Sequence, residues 1–550
     1  MSHRFMSAPS GVVAVLLGSA AMAEPSPGET TILGPFTGHY AKLHPDNINP
    51  HPIAYYGTDL GFTYEHQGKL QFLFGDTAAD EAGVPIQAST GTTYDDGFGT
   101  IELADWPDAA RITRTNIPLI KLGQNPGTSE MSAINPGHPM ESFKTPLGGF
   151  SNGQREFGIF YTSKPQGCRV DADCTSGLTC DTGLGFVGTR YDKPEAFTFA
   201  CMLSTPGCTA NTMADANGTP IPGSGFCSDR TSSIWANTPS GRIAAVGVKH
   251  LIGLRSTTDP RSYGDTRAWS TNKFANVTVQ TVQDFAPKRG AGRTHQDYRN
   301  ASTQGGSRRV FLWGRPGFIG VGAKGRTLGL YFAYLDLPQG PGFTWEPHYY
   351  TGSDAKGIPQ FSQDERAAIA VDLDSTRAGI QSAEPTDIVD QESIVWVEHL
   401  RKWVMFFGGG MGKLPMPPTL PNCGLVELFV GAECREVAIG KGAIRMRTAD
   451  DPWGPWTPAQ DVIVGGDPDI LPVQNLYAAG GVLYHPTCKQ EGCAPRTNSP
   501  QLLPGDYGFL YGSNLIVQWI KPVGPAVDVI WNASTWDPYR VILLRTRINP

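Results

Sequence analysis

Charge is scarce in this sequence. Asp, Glu, Lys and Arg together make up 17% of its 550 residues, against about 25% in ordinary soluble domains. The formal net charge is −7 and no Lys/Arg tract stands out, which excludes a surface built to follow a nucleic-acid backbone. Beyond the N-terminus there is no apolar run long enough to cross a bilayer. No Cys-x-x-Cys pair occurs, and no His falls among the clustered cysteines, so a zinc site is excluded on spacing. There is no His-Glu-x-x-His, the signature of zinc peptidases. Unpunctuated Ala/Leu/Glu/Lys stretches are missing as well, which excludes a coiled coil or helical array.

Turn formers and aromatics fill the space instead. There are 66 Gly, 45 Pro, 12 Trp and 18 Tyr. Aromatics at 10% argue against global disorder. Many short strands joined by tight turns fit this composition. Helix is expected only as a turn or two, at 363–370 and 382–390.

His3 and Arg4 precede an apolar run, Gly11 to Ala23, that closes on Ala21-Met22-Ala23. This is the layout of a secretory signal, with cleavage expected after Ala23. Residues 1–23 are therefore set aside, and a secreted chain, extracellular or periplasmic, is expected. An exported chain with 10 cysteines is expected to form disulfides. Six cluster in one stretch: Cys168, Cys174, Cys180, Cys201, Cys208 and Cys227. Cys423 with Cys434, and Cys488 with Cys493, read as two local loops. The stretch 164–230 has little apolar periodicity and reads as a stapled insertion. Asp171 and Asp173 within it suit a solvated acidic loop better than a calcium site.

The clearest local pattern runs from Asp59 to Asp76. Leu60, Phe62 and Tyr64 alternate, then Leu70, Phe72 and Phe74, around Gln67-Gly68. This predicts a β-hairpin with a two-residue turn. Similar pieces occur at 157–161, 310–313 with 328–334, 392–407, and 507–511 with 515–519. Units are expected to begin near 57, 138, 306, 387 and 472. The strand at 443–449 runs into Pro452-Trp-Gly-Pro-Trp456, a turn common at outer propeller strands. Recurring antiparallel units predict an all-β, five-bladed β-propeller over 24–550, a single domain with the Cys-rich insertion in its second blade. A β-sandwich is usually smaller. The last strands, 527–531 and 540–547, are expected to close the ring by pairing with a neighbouring blade.

Two glycine-rich stretches carry no nucleotide chemistry. Gly320-Val-Gly-Ala-Lys-Gly325 leads into a strand and not a helix, so the phosphate has no helix N-terminus to rest on. Gly408 to Lys413 lacks the spacing and the hydroxyl of a phosphate loop. No cofactor and no metal is expected.

The carboxylates are more informative. If Gln67-Gly68 is the turn, cross-strand partners place Leu60 opposite Gly75 and Asp59 opposite Asp76, with Cβ atoms about 5 Å apart. Such a pair shares a proton, binds a cation or works as acid and base. It would sit where the inner strand opens onto one face of the disc. Glu141 and Glu392 stand at the starts of two later inner strands. A ring of acids suits glycosidic cleavage, which needs one carboxyl to protonate the leaving oxygen and another as base or nucleophile. His295 with Asp297, and His485, read as satisfied histidines before any role in orienting water. Trp313, Arg315 and Tyr511 are candidates for sugar stacking and hydroxyl recognition.

Gly57-Thr-Asp-Leu-Gly61, Phe74-Gly-Asp-Thr77, Arg447 to Trp456, Tyr507 to Tyr511 and Ser534-Thr-Trp-Asp-Pro-Tyr539 resemble a bacterial family first catalogued as a domain of unknown function. That family is associated with endo-D-arabinanases, five-bladed propeller glycoside hydrolases that cut the D-arabinan of mycobacterial arabinogalactan and lipoarabinomannan. The resemblance spans about 57 to 547 and skips the Cys-rich stretch, which departs from the family pattern. It implies that Asp59 and Asp76 are the catalytic carboxylates. The partner implied is a polysaccharide, and a monomer is expected. The rival readings are a non-catalytic carbohydrate-binding propeller and a surface interaction protein. An open face holding two or more carboxylates separates the enzyme from both.

Overall fold

A computed structural model describes residues 24–37, 57–78, 96–122, 144–163, 248–255, 263–268, 276–283, 308–315, 330–337, 346–373, 392–408, 444–463, 510–535 and 540–550, with a few exceptions and shorter pieces between them. The fold is an all-β propeller. Four sheets are built from successive antiparallel strands, innermost first. The first runs Gly57–His66, Lys69–Ala78, Gly97–Glu102 and Lys121–Leu122. The second runs Lys144–Ser151, Glu156–Ser163, Val248–Arg255 and Tyr263–Ala268. The third begins Asn276–Gln283, Arg308–Arg315, Tyr331–Leu337 and His348–Ser353, with short edge strands on both sides. The fourth runs Ser393–Val397, Lys402–Gly408, Ile444–Ala449 and Gln460–Ile463.

The last sheet is assembled differently. Leu510–Leu515, Ala526–Thr535 and Arg540–Asn549 come from the C-terminal end, and Ser26–Pro35 pairs outside them. The expected closure, a final segment pairing with a neighbouring blade, is corrected here. The two ends of the described chain share one sheet, with Ile32 opposite Leu544. The N-terminal strand also reaches the fourth sheet, through Thr30 Oγ1 to the Val462 carbonyl at 3.2 Å. An edge of Arg540–Asn549 that would otherwise be open is thereby covered.

Alternation explains the core. The Asp59–Asp76 hairpin turns at Gln67 and Gly68, both at positive φ (49° and 80°), the geometry that matches strand twist in a two-residue turn. His66 pairs with Lys69 across it. The strand pair Ser393–Val397 and Lys402–Gly408 is apolar on both faces, because sheets pack on both sides of it. Val404 and Phe406 pack with Trp531 and Leu544 of the last sheet. Trp403 and Met405 pack with Phe311 and Trp313 of the third. Phe157 and Ile159 of the second sheet meet Val310 and Leu312 of the third. Phe72 and Phe74 of the first share a cluster with Ile530 and Leu543 of the last.

The third unit starts earlier than expected. Its inner strand is Asn276–Gln283, and the segment near 306 supplies the second strand. The inner strand of the last sheet is Leu510–Leu515; the expected start near 472 lies outside the described residues. A helical turn does form at Glu365–Ala367. Val389–Asp390, expected as helix, is a strand paired with Ile319–Gly320. In the Cys-rich stretch, Gly167–Cys168, Thr179–Asp181 and Gly225–Ser228 form a small sheet in which Cys227 lies opposite Cys180. Cys174, Cys201, Cys208, Cys423, Cys434, Cys488 and Cys493 lie outside the described residues.

Candidate active site

The first hairpin keeps the expected register from its turn up to Phe62, which faces Leu73. There it slips. Leu60 pairs with Phe74 and Asp59 with Gly75, so the expected Asp59–Asp76 opposition is corrected by one residue. The cause is a bulge at Leu60 and Gly61, whose φ values are 64° and 82°. Two left-handed residues in succession insert one extra position into this strand. Asp76 follows Gly75 on the neighbouring strand, and its side chain lies outside the described residues.

The bulge is held from the last sheet. The Leu60 N–H donates to Ser534 Oγ at 2.7 Å. The Gly61 carbonyl accepts from Asn514 Nδ2 at 3.0 Å and from Asn532 Nδ2 at 2.9 Å. Gly61 is required here on two counts: its φ is left-handed, and an added Cβ would lie 3.2 Å from both Asn532 Nδ2 and Phe74 Cε1.

Asp59 is buried, 6% exposed, and Tyr511, 5% exposed, donates its hydroxyl to Asp59 Oδ2 at 2.8 Å. Of the residues singled out from sequence, these two are brought together. A hydrogen bond to an ionised carboxylate is among the stronger kinds. On the far side of the hairpin, Thr58 Oγ1 donates to the Gly75 carbonyl at 3.0 Å and meets Thr77 Oγ1 at 2.8 Å. These contacts pin the two strand ends beside Asp59.

Two more buried acids stand at strand starts. Glu392, 1% exposed, directly precedes the inner strand of the fourth sheet. Its neighbour Ser393 accepts a 2.9 Å hydrogen bond from the Leu515 N–H. Asp96, 2% exposed, precedes Gly97, which pairs with Phe74. Asp96 is a residue the sequence reading missed; it sits in a short Asp-Asp-Gly turn signal with no apolar alternation before it. Asn514, Asn532 and Ser534 were missed too, since nothing local ties them to the first hairpin. Carboxylates are rarely this buried without a partner or a task.

The inner strands border a common polar cleft of roughly 730 Å³, solvent included, whose lining begins at Phe62 of the first inner strand and does not include Asp59. Thr63, Gly149, Thr278, Ser393 and Asn514 line it, one from each of the five large sheets. At the hairpin's turn end a second polar group joins the first two sheets. Tyr64 Oη donates to Glu156 Oε2 at 3.0 Å, His66 Nδ1 lies 2.7 Å from Ser151 Oγ, and His66 Nε2 lies 3.8 Å from Glu156 Oε1.

Trp313 is corrected. It is fully buried and donates its indole N–H to the Pro452 carbonyl at 2.7 Å, packed against Trp403 and Phe332. A second strand flanked by sheets on both sides has no face to offer a sugar. The Arg315 side chain, Glu141, His295, Asp297 and His485 lie outside the described residues. Among the described residues there is no group of three His, Cys, Asp or Glu able to hold a metal ion.

No protein-family model matches the chain, and no curated protein matches it. Similar solved structures are distant. They include an α-L-arabinofuranosidase from Podospora anserina, at 10% identity and TM-score 0.32, covering 96% of this chain and 98% of the other. An exo-1,5-α-L-arabinanase from a bovine ruminal metagenomic library shows 8% identity and TM-score 0.26, over 90% and 94%. A Trypanosoma rangeli sialidase shows 9% identity and TM-score 0.29, over 90% and 55%. At these scores the likeness assigns neither a substrate nor a residue role.

Proposed function

We propose that the protein is a secreted glycoside hydrolase that cuts a furanoside polysaccharide in endo fashion, with D-arabinan as substrate and Asp59 and Asp76 as its catalytic carboxyls. The observation that carries this reading is the buried Asp59 carboxylate, seated at the end of an inner strand and gripped by Tyr511. The buried acids Asp96 and Glu392 at other strand starts support it. What supports D-arabinan as the substrate is the family resemblance of the sequence motifs around Asp59, Asp76 and Tyr511. The five large sheets are read as five blades. What supports this is the cleft bordered by all five inner strands and the apolar clusters shared between neighbouring sheets.

Cleavage of a glycosidic bond needs a proton on the leaving oxygen and a second carboxyl to activate water or attack the anomeric carbon. Buried acids at one strand end can divide that work. Binding alone would ask for exposed aromatic platforms. Among the described residues the exposed large apolar side chains are Val170, Ile358 and Ile369, with no aromatic among them.

Export with cleavage after Ala23, disulfides in the Cys-rich stretch and a monomeric state complete the proposal. Incubating the purified protein with a panel of arabinans tests the function. Release of short oligosaccharides from D-arabinan is expected; binding with no release from any arabinan would overturn it.

A further inference from the structure

We propose that the last sheet is the positioning element of the reactive acid: Tyr511 fixes the Asp59 carboxylate directly, and Asn514, Asn532 and Ser534 fix it through the Leu60–Gly61 bulge. This rests on the reading of Asp59 as a catalytic carboxyl.

Three observations converge on one seam. Tyr511 and Asp59 are both buried and joined at 2.8 Å. A phenol that donates to one carboxylate oxygen selects the side chain's rotamer and favours its ionised form. Next, Leu60 is a bulky residue at a left-handed φ of 64°, a conformation that persists only when its surroundings over-determine it. Here they do: Ser534 Oγ takes the Leu60 N–H, and two side-chain amides hold the Gly61 carbonyl. Finally, all four partners come from strands Leu510–Leu515 and Ala526–Thr535 of the same sheet. That sheet takes its outer strand, Ser26–Pro35, from the opposite end of the chain.

The hairpin therefore does not aim its own acid. Register alone would put Asp59 opposite Asp76, and the bulge moves it opposite Gly75. A carboxylate positioned in this way can act as base toward water or as nucleophile at the anomeric carbon. The proton for the leaving oxygen then comes from another carboxyl.

The test compares wild type, Tyr511→Phe, Asn532→Ala and Asp59→Asn on soluble D-arabinan, each screened for a cooperative melt. Tyr64→Phe, which removes a hydroxyl of the same hairpin at its other end, is the structural control. Tyr511→Phe is expected to lower kcat about 10- to 100-fold with KM nearly unchanged, and to move the acidic limb of the pH profile upward. Asn532→Ala should lower kcat in the same direction, and Tyr64→Phe should keep the pH profile. Titration of the Asp59 carboxyl by carbon NMR, its signal identified by loss in Asp59→Asn, supplies a readout free of turnover. An upward shift in Tyr511→Phe supports positioning. Unchanged kcat and an unchanged Asp59 titration in Tyr511→Phe would overturn it. Full turnover in Asp59→Asn would instead overturn the catalytic reading, with the titration still judging the contact.

Discussion

The Tyr511 hydroxyl and the Asp59 carboxylate meet at 2.8 Å although 452 positions separate them in the chain. The contact crosses from the last sheet to the first. It ties the order of the candidate site to the closure of the propeller.

That dependence makes Gly61 a sensitive position. Gly61→Ala would place a Cβ 3.2 Å from Asn532 Nδ2 and Phe74 Cε1 at a φ of 82°. A loss of about 1–3 kcal/mol in urea-unfolding stability is expected, with turnover falling further than stability explains. Equal activity at equal stability would show that the bulge is not needed.

Gly149→Ala is expected to be worse for the fold. Its Cβ would fall 2.3 Å from Tyr64 Cε1 and 2.8 Å from the Phe157 carbonyl oxygen. One of those atoms is backbone and cannot swing away. A loss of about 2 kcal/mol or more should appear in denaturant unfolding, together with loss of the Tyr64–Glu156 hydrogen bond.

Removing residues 26–35 should unsettle the whole ring. The last sheet would lose the partner of Arg540–Asn549, and the Thr30 contacts to Val462 and Thr546 would go. A lower Tm and concentration-dependent aggregation are expected, as for any exposed strand edge. A cooperative melt at the wild-type temperature would contradict this.

The first and last sheets are also bridged at the surface. Asp108 accepts hydrogen bonds from Lys521 Nζ at 2.8 Å and from the Ala110 N–H at 2.9 Å, and these hold its carboxyl below the usual value. A lowered folded pKa gives stability that is present above the unfolded value and lost as pH falls through the folded one. Because Asp108 is exposed, the effect is small. Lys521→Met should return the Asp108 titration upward toward its ordinary range, read by NMR; an unmoved titration would refute the bridge.

Much of this architecture is legible in the sequence where one face of a strand is apolar. Leu70, Phe72 and Phe74 announced their strand, and Gln67-Gly68 its turn. Asn276–Gln283 escaped notice because Thr and Gln alternate with Val there, the mark of a strand bordering a polar cleft. The bulge is invisible to alternation, since Leu60 and Phe62 remain two apart on paper. It is set by Asn514, Asn532 and Ser534, which no local pattern links to Gly61. Trp313 misled for a related reason: sheets packed on both sides bury aromatics that would stand exposed on a one-sided sheet.

The central claim is that Asp59 carries chemistry, and turnover of Asp59→Asn on D-arabinan tests it most directly. Asn keeps the size and leaves the Tyr511 hydroxyl an acceptor, so the fold should persist. General acid–base catalysis is worth about 10²- to 10⁴-fold, so oligosaccharide release should fall by at least that factor with KM largely kept, as it should for Asp76→Asn, while Glu392→Gln costs less. Near-full release by Asp59→Asn and Asp76→Asn, with release abolished by Glu392→Gln, would contradict the account and move the catalytic pair to other sheets.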